Sequence, residues 1–416
     1  MTKGLRGAIL LFFLAMAAEA AIRAGLARVE ITPPAGHAMG GYAGRTAGAS
    51  GRHDPLYATV LVLDSGTESL ALVTADLRSF VSTRVGELAR EKFGVRHTIL
   101  SLSHTHSGPR TWETRTSWYA QAEDRMVEAI GEARRSMFDA EIAFASGEAY
   151  LGFNRRKVED GRARMWWRNA ERLPSHPVDP TLSVLRIRDA GGMLRAMVVH
   201  YACHPSVLGP DNLQYSADYP GALRRYIESR IPGARSLFVQ GAAGDINPFR
   251  DKEPVAGAGF EAVEEMGSEL GRQAMRLLER ARVITGEDAG LRLASEVVEV
   301  RHRWQPAERI PVGLTAGIIG RGLCFLALPG EPFVEHGLAF RAQSECPAAL
   351  LLGYSYSIGG AWAGYLPTIR ATVEGGYGAD YNTTVEAGAG ELLVNRGVIR
   401  LFELRGLLKD LPDAGF

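Results

Sequence analysis

The sequence predicts an α/β fold, a layered mixed sheet with flanking helices built as one large domain. Two observations carry this. Short apolar runs alternate with longer amphipathic stretches along 416 residues, and no internal repeat, flexible linker or low-complexity tract divides them. Strand candidates are Thr59 to Leu63, Leu70 to Thr74, Thr98 to Leu102, Leu182 to Arg186, Met197 to His200, Ser236 to Gln240, Cys324 to Leu328 and Ala349 to Tyr354. Each is a short apolar run bounded by turn-forming residues. Helix candidates are Gln121 to Met137, Gly221 to Arg230, Phe260 to Ala281 and Phe333 to Gln343, with apolar positions three or four apart. Pro232-Gly233 closes the second of these, and the Ala256 to Gly259 and Gly286 to Gly290 stretches read as loops.

Composition narrows the function. Lys plus Arg and Asp plus Glu number 47 each, so no electrostatic term favours nucleic acid or an anionic membrane surface. Lys3 and Arg6, the apolar core Ala8 to Ala18 and the small-x-small site Ala18-Glu19-Ala20 form an export signal. The expected organisation is a signal peptide at residues 1–20 and one domain at 21–416, secreted or periplasmic. The apolar core is far shorter than the roughly 20 residues that span a bilayer, so no integral membrane span is expected. Cys203, Cys324 and Cys346 permit at most one disulfide and leave a thiol over. Oligomeric state is not legible.

Polar clusters recur where apolar strands end. His104-Thr105-His106-Ser107-Gly108-Pro109 follows one run, His204 follows His200-Tyr201-Ala202-Cys203, Gly244-Asp245 follows another, and Glu331 follows Leu328-Pro329-Gly330. Strand alternation puts the imidazoles of His104 and His106 on one face, and ligands gather outside strand ends in open α/β sheets. Singly, His204 is as well read as a loop histidine and Glu331 as an acid at a helix start. Together with His104 they form a credible set of zinc ligands, and spacing alone would add His106. Asp245 reads equally as an outer-shell partner of a metal-binding imidazole or as a helix cap, and Asp218 shares that ambiguity. Asp76 is a further strand-end acid.

In the same order along the chain, the His104 to Pro109 run, His204, Gln240-Gly241-Ala242-Ala243-Gly244-Asp245, Leu328-Pro329-Gly330-Glu331 and Gly364-Tyr365-Leu366-Pro367-Thr368 resemble the catalytic domain of the neutral/alkaline non-lysosomal ceramidases. The opening Ile31-Thr32-Pro33 and Gly40-Gly41-Tyr42 belong to the same resemblance, which runs from about Ala27 to about Gly378. It implies one zinc per chain, held by His104, His204, Glu331 and Tyr365, with His106 left as a substrate or proton partner. It further implies that Arg155, in Asn154-Arg155, lies at the active site and that Tyr377 stabilises a developing oxyanion. Without the resemblance, Arg155 reads as a surface ion-pairing residue and Tyr377 as a turn tyrosine. The implied reaction is amide cleavage of an N-acyl sphingosine or another N-acyl substrate by metal-activated water, with a lipid or small-molecule amide as partner.

This chain departs from the resemblance in three places. Gly241 stands where ceramidases carry a serine after the glutamine, Gly378 where an acidic residue is usual, and the chain stops at Phe416 without room for their C-terminal immunoglobulin-like domain. Two alternatives therefore stay open. One is a two-metal amide or ester hydrolase, with His104 and His106 on one ion and Asp76, Asp218 or Asp245 bridging a second. The other is a non-catalytic secreted relative that binds lipid or glycan.

Overall fold

The computed structural model describes residues 22–111, 116–286 and 290–408. The export signal expected at residues 1–20 lies outside them. All eight expected strands form, as Tyr57–Asp64, Ser69–Ala75, His97–Leu102, Thr181–Asp189, Leu194–Tyr201, Arg235–Gln240, Leu323–Ala327 and Ala348–Leu352. The four expected helices form as Ser117–Arg135, Asp218–Arg230, Gly259–Leu278 and Val334–Gln343. The sequence reading omitted the strands Arg23–Glu30, Phe138–Glu148, Leu291–Arg301 and Arg309–Ile319 and the helices Thr83–Phe93 and Ala389–Leu404.

The strands build a ten-stranded mixed sheet and a separate four-stranded one. The large sheet bends at its middle, where Arg23–Glu30 and Phe138–Glu148 pair through only Arg23↔Asp139 and Ala24↔Phe138. Its two wings and the four-stranded sheet enclose a shared core that includes Leu61, Leu63, Ile99, Leu185, Val198, Val239, Phe325 and Leu350. Alternate residues of the same strands face outward beneath helices. Val60 and Val62 pack in one outer core with residues of Ser117–Arg135, Val184 and Val199 in another with residues of Gly259–Leu278, and Cys324 and Leu326 in a third with residues of Ala389–Leu404. Burial on both faces is why these strands read as continuous apolar runs. The long hairpin Leu291–Arg301 with Arg309–Ile319 keeps its first strand largely open to solvent, which removes that signal.

Three parallel strand pairs, each spanned by a helix, position the site. Ser69–Ala75 runs beside His97–Leu102, Leu194–Tyr201 beside Arg235–Gln240, and Leu323–Ala327 beside Ala348–Leu352. His104, His204, Asp245 and Glu331 all lie just beyond the carboxyl ends of these strands, the place where such sheets bind ligands.

Cys324 and Cys346 form a disulfide across a sequence separation of 22, and Cys203 is a buried free thiol. Among the described residues no helix is long and apolar enough to cross a membrane. Thiol titration of unfolded protein without reductant is expected to find one free cysteine, and reduction to lower the unfolding free energy by about 3 kcal/mol, the scale for a loop of this size. Three reactive thiols without reductant would contradict the pairing.

Candidate metal centre

The His97–Leu102 strand stops before the histidines, and His104 adopts a left-handed backbone with φ 69°. The turn, and not strand alternation, therefore aims these imidazoles, which corrects the expectation of a shared strand face. Hydrogen bonds from Ser103 N to Ala75 O (2.9 Å) and from His104 N to Leu77 O (2.9 Å) hold the turn in place. Gly41, at φ 103°, presses on His106, since a Cβ there would lie 2.7 Å from the His106 backbone. Tyr42 sets its ring edge-on to His106 at 5.1 Å and donates to Leu208 O at 2.7 Å. The Gly40-Gly41-Tyr42 motif thus braces the histidine turn.

His104, His204 and Glu331 meet in a buried cluster. Glu331 Oε2 lies 3.3 Å from His104 Nε2 and 3.4 Å from His204 Nε2, and the two imidazole centroids are 5.0 Å apart. His104 Nδ1 is 2.8 Å from Arg78 O, and His204 Nδ1 is 2.6 Å from Ala243 O. A carbonyl takes an N–H, so each Nε2 presents its lone pair inward. His104 Nε2, His204 Nε2, Glu331 Oε2 and both nitrogens of His106 have no hydrogen-bond partner although buried. Buried polar atoms are almost always partnered, and lone pairs that face one another repel unless a proton or a cation lies between them. Tetrahedral zinc with ligand bonds of about 2.0–2.1 Å puts its ligand atoms about 3.3–3.4 Å apart. The Glu331–His104 and Glu331–His204 distances have that length. The residues present fit the ion.

His106 adds a third imidazole: ligand atoms of His104, His106 and His204 all lie within 4.8 Å of one another. Burial pushes the His106 pKa well down, with the neighbouring His104 and His204 acting in the same direction. Burial also lowers His104, and brings His204 to about 3. Burial acts to raise the Glu331 pKa, but His104, His204 and Arg78 outweigh it and hold the carboxylate well below its usual range. At neutral pH the cluster offers neutral imidazoles and an ionised carboxylate, the states a metal needs.

Arg155 is buried beside the cluster. Its Nη2 donates to Gly244 O (2.6 Å) and the Tyr365 hydroxyl (3.2 Å), and its Nη1 to Asn247 Oδ1 (3.0 Å). The rings of Trp167, Tyr365 and Tyr377 surround the guanidinium at 5.5, 5.6 and 5.2 Å. A surface ion-pairing role for Arg155 is therefore excluded. Tyr365 pairs in register with Glu331 across two short parallel strands, and Tyr377 meets the rings of Tyr365 and Trp167.

Asp245 does not orient an imidazole; backbone carbonyls do that. Its carboxylate accepts from Val334 N (2.9 Å), at the start of the Val334–Gln343 helix, and from Asn154 Nδ2 (2.7 Å). The free amides and positive dipole end of that helix attract the buried carboxylate more than the already satisfied imidazole N–H groups. Asp245 O also accepts from Arg155 N (2.9 Å), so this residue positions the arginine. Asp76 is paired with Arg224 (2.8 Å), and Asp218 accepts from the amides of Leu208 and Tyr219. None of the three joins the histidine group. The sequence reading passed over Arg78, whose Nη2 lies 3.6 Å from Glu331 Oε1, and Asn247; each follows a recognised strand-end acid by two residues, the only signal either gave.

Gly241 has no room for a side chain. A Cβ there would lie 2.8 Å from Ala202 Cβ and 3.2 Å from His200 Cε1.

No protein-family profile matches the chain. The neutral ceramidase of Pseudomonas aeruginosa is 24% identical over 274 residues, a stretch covering 59% of this chain and 40% of that protein. The crystal structure of neutral ceramidase from Pseudomonas aeruginosa superposes with a TM-score of 0.76 at 18% identity, covering 95% of this chain and 76% of that one. A ceramidase complexed with C2 gives 0.78 at 17% identity, covering 95% and 78%. The resemblance read from the motifs is thus borne out by sequence similarity, and the fold is that of the ceramidase structures.

His104→Ala or Glu331→Gln is expected to abolish stoichiometric zinc binding, measured by metal analysis after dialysis; full retention would remove the residue from the cluster's role. The depressed imidazole pKa values set the pH dependence. An unfolded histidine charges below about 6.5, whereas these stay neutral when folded, so their contribution to stability is full above that pH and is lost as pH falls through it toward the folded value. Proton competition in the folded site begins only in that acid range. Zinc affinity by chelator competition is accordingly expected to stay flat as the pH falls through about 6.5, where a free imidazole charges. A decline beginning near pH 6.5 would contradict the burial argument.

Proposed function

We propose that this protein is an exported zinc-dependent amidohydrolase that cleaves an N-acyl substrate of ceramide type, with residues 21–416 as its catalytic domain and residues 1–20 as its export signal. The observation that carries this is the buried group of unpartnered lone pairs on His104, His204 and Glu331 beside a caged arginine. His104, His204 and Glu331 would hold one zinc, with Tyr365 as the fourth ligand that the resemblance implies. Bound there, zinc would lower the pKa of a water molecule toward 7 and polarise the scissile carbonyl.

The remaining work falls to side chains. Arg155 keeps its charge at every working pH, because Tyr365, Tyr377 and Glu331 outweigh the opposing effect of burial. Fixed by Gly244 O and Asn247, it can face negative charge building on the carbonyl oxygen without moving. Tyr377, packed on Tyr365 and Trp167 beside Arg155, would donate to the same oxygen. His106, neutral and without a hydrogen-bond partner, would take up the proton released by the attacking water and hand it to the leaving amine. No step requires a hydroxyl at position 241. The three-imidazole group favours a second reading in which His106 is itself a ligand; His106→Ala separates the two, since zinc stays bound in the first and weakens in the second.

Purified protein offered a panel of N-acyl amides with and without chelator is expected to show chelator-sensitive release of fatty acid. Absence of turnover on every member would leave a binding protein. Tyr377→Phe is expected to keep zinc and slow turnover by about a hundredfold, the usual scale for one lost oxyanion donor; unchanged turnover would reassign Tyr377 to packing.

A further inference from the structure

Five large tyrosines are fully buried: Tyr201, Tyr215, Tyr219, Tyr354 and Tyr356. Four find acceptors for their hydroxyls, in Ala149 O (2.7 Å), His37 O (3.1 Å), Cys203 O (2.6 Å) and Gly360 O (3.4 Å) respectively. The Tyr354 hydroxyl has no partner, although the side chain is 0% exposed. Its ring packs on His104 with centroids 4.4 Å apart and stands edge-on to His204 at 6.0 Å. Glu331, Tyr365, Arg155 and Asp245 act on it electrostatically, so it lies among the groups of the metal centre.

The backbone also marks the position. Tyr354 has φ 55°, a conformation that a bulky side chain avoids unless its surroundings force it. Tyr354 N donates to Gly330 O (2.8 Å), next to Glu331, and Tyr354 O accepts from Leu102 N (3.0 Å), just before the histidine turn. The preceding Gly353 lies against Gly241, since a Cβ on it would be 2.6 Å from the Gly241 carbonyl oxygen. A strained backbone, pinned to both of these loops, thus carries an unpartnered hydroxyl, and the residue before it lies against the position where no side chain fits.

We propose that the Tyr354 phenol donates a hydrogen bond to an oxygen of the molecule bound beside His104, His204 and Glu331, and so supplies the substrate-facing hydroxyl that Gly241 cannot. The proposal rests on the reading of this cluster as a zinc centre. It involves no bond making at the phenol; the hydroxyl hydrogen stays on Tyr354 and points at the substrate carbonyl oxygen.

The test compares zinc-loaded wild type with Tyr354→Phe, which keeps the ring and removes only the hydroxyl. Acetohydroxamate binding by calorimetry is expected to weaken about tenfold, the scale of one hydrogen bond to a charged oxygen. Zinc content should be unchanged, and the melting temperature equal or slightly higher, because an unpartnered buried hydroxyl stabilises nothing. On an amide that the wild type cleaves, kcat should fall about tenfold with KM within about twofold. Equal hydroxamate affinity in both proteins, no binding to the wild type, or loss of zinc or of melting temperature in the variant would each overturn the proposal. A hydroxamate affinity that depends on Tyr354 in a protein that cleaves no amide would retain this donor and discard the amidohydrolase reading, so the two failures are distinguishable.

Discussion

The mutual approach of two imidazole lone pairs and a carboxylate, buried beyond three strand ends, is the constraint around which the rest of this molecule is arranged. Burying an ionised glutamate without compensation costs several kcal/mol. His104, His204 and Arg78, the last at 3.6 Å, supply that compensation to the carboxylate, but the inward lone pairs of the imidazoles stay unpartnered. A divalent cation between His104, His204 and Glu331 would satisfy all three lone pairs at once. Metal binding there would then add to the stability of the fold, the usual linkage of metal binding to folding.

Backbone carbonyls, and not acidic side chains, turn the imidazoles toward this point. Arg78 O and Ala243 O sit in loops fixed by the ends of parallel strands, so imidazole orientation follows directly from sheet geometry. The carboxylate that might have done this, Asp245, instead joins Asn154 to the start of the Val334–Gln343 helix and supports Arg155 through its own carbonyl. The loop bearing Glu331 and the short strand before Arg155 are tied together through that one buried acid. Arg155 in turn is held in a box of aromatic rings that excludes water from its flanks and leaves its charge fixed in direction. Such preorganisation is what stabilisation of a developing negative charge demands.

The position of Gly241 sets this chain apart from the ceramidase pattern, and the structure gives the physical reason why the change is tolerated. Ala202 and His200 occupy the space a side chain would need, and Gly353 closes from the other side. The cluster is pinned separately, by its bonds to backbone carbonyls.

Sequence alone determined the layered α/β class, because strands buried on both faces must be apolar throughout and helices that cover them must be amphipathic; Val60, Leu61, Val62 and Leu63 display this residue by residue. It also pointed to the strand ends whose polar residues meet in one buried cluster, since His104, His204 and Glu331 each follow an apolar run. The solvent-facing hairpin strand Leu291–Arg301 and the polar-rich Phe138–Glu148 were illegible for the converse reason, one face of each being open or mixed. Tertiary structure decided what one-dimensional spacing cannot encode. The left-handed turn at His104, the carbonyls that orient the rings, the engagement of Asp245 by a helix start and the unpartnered hydroxyl of Tyr354 all depend on atoms brought together from distant segments, and distance in space is not written in the order of residues.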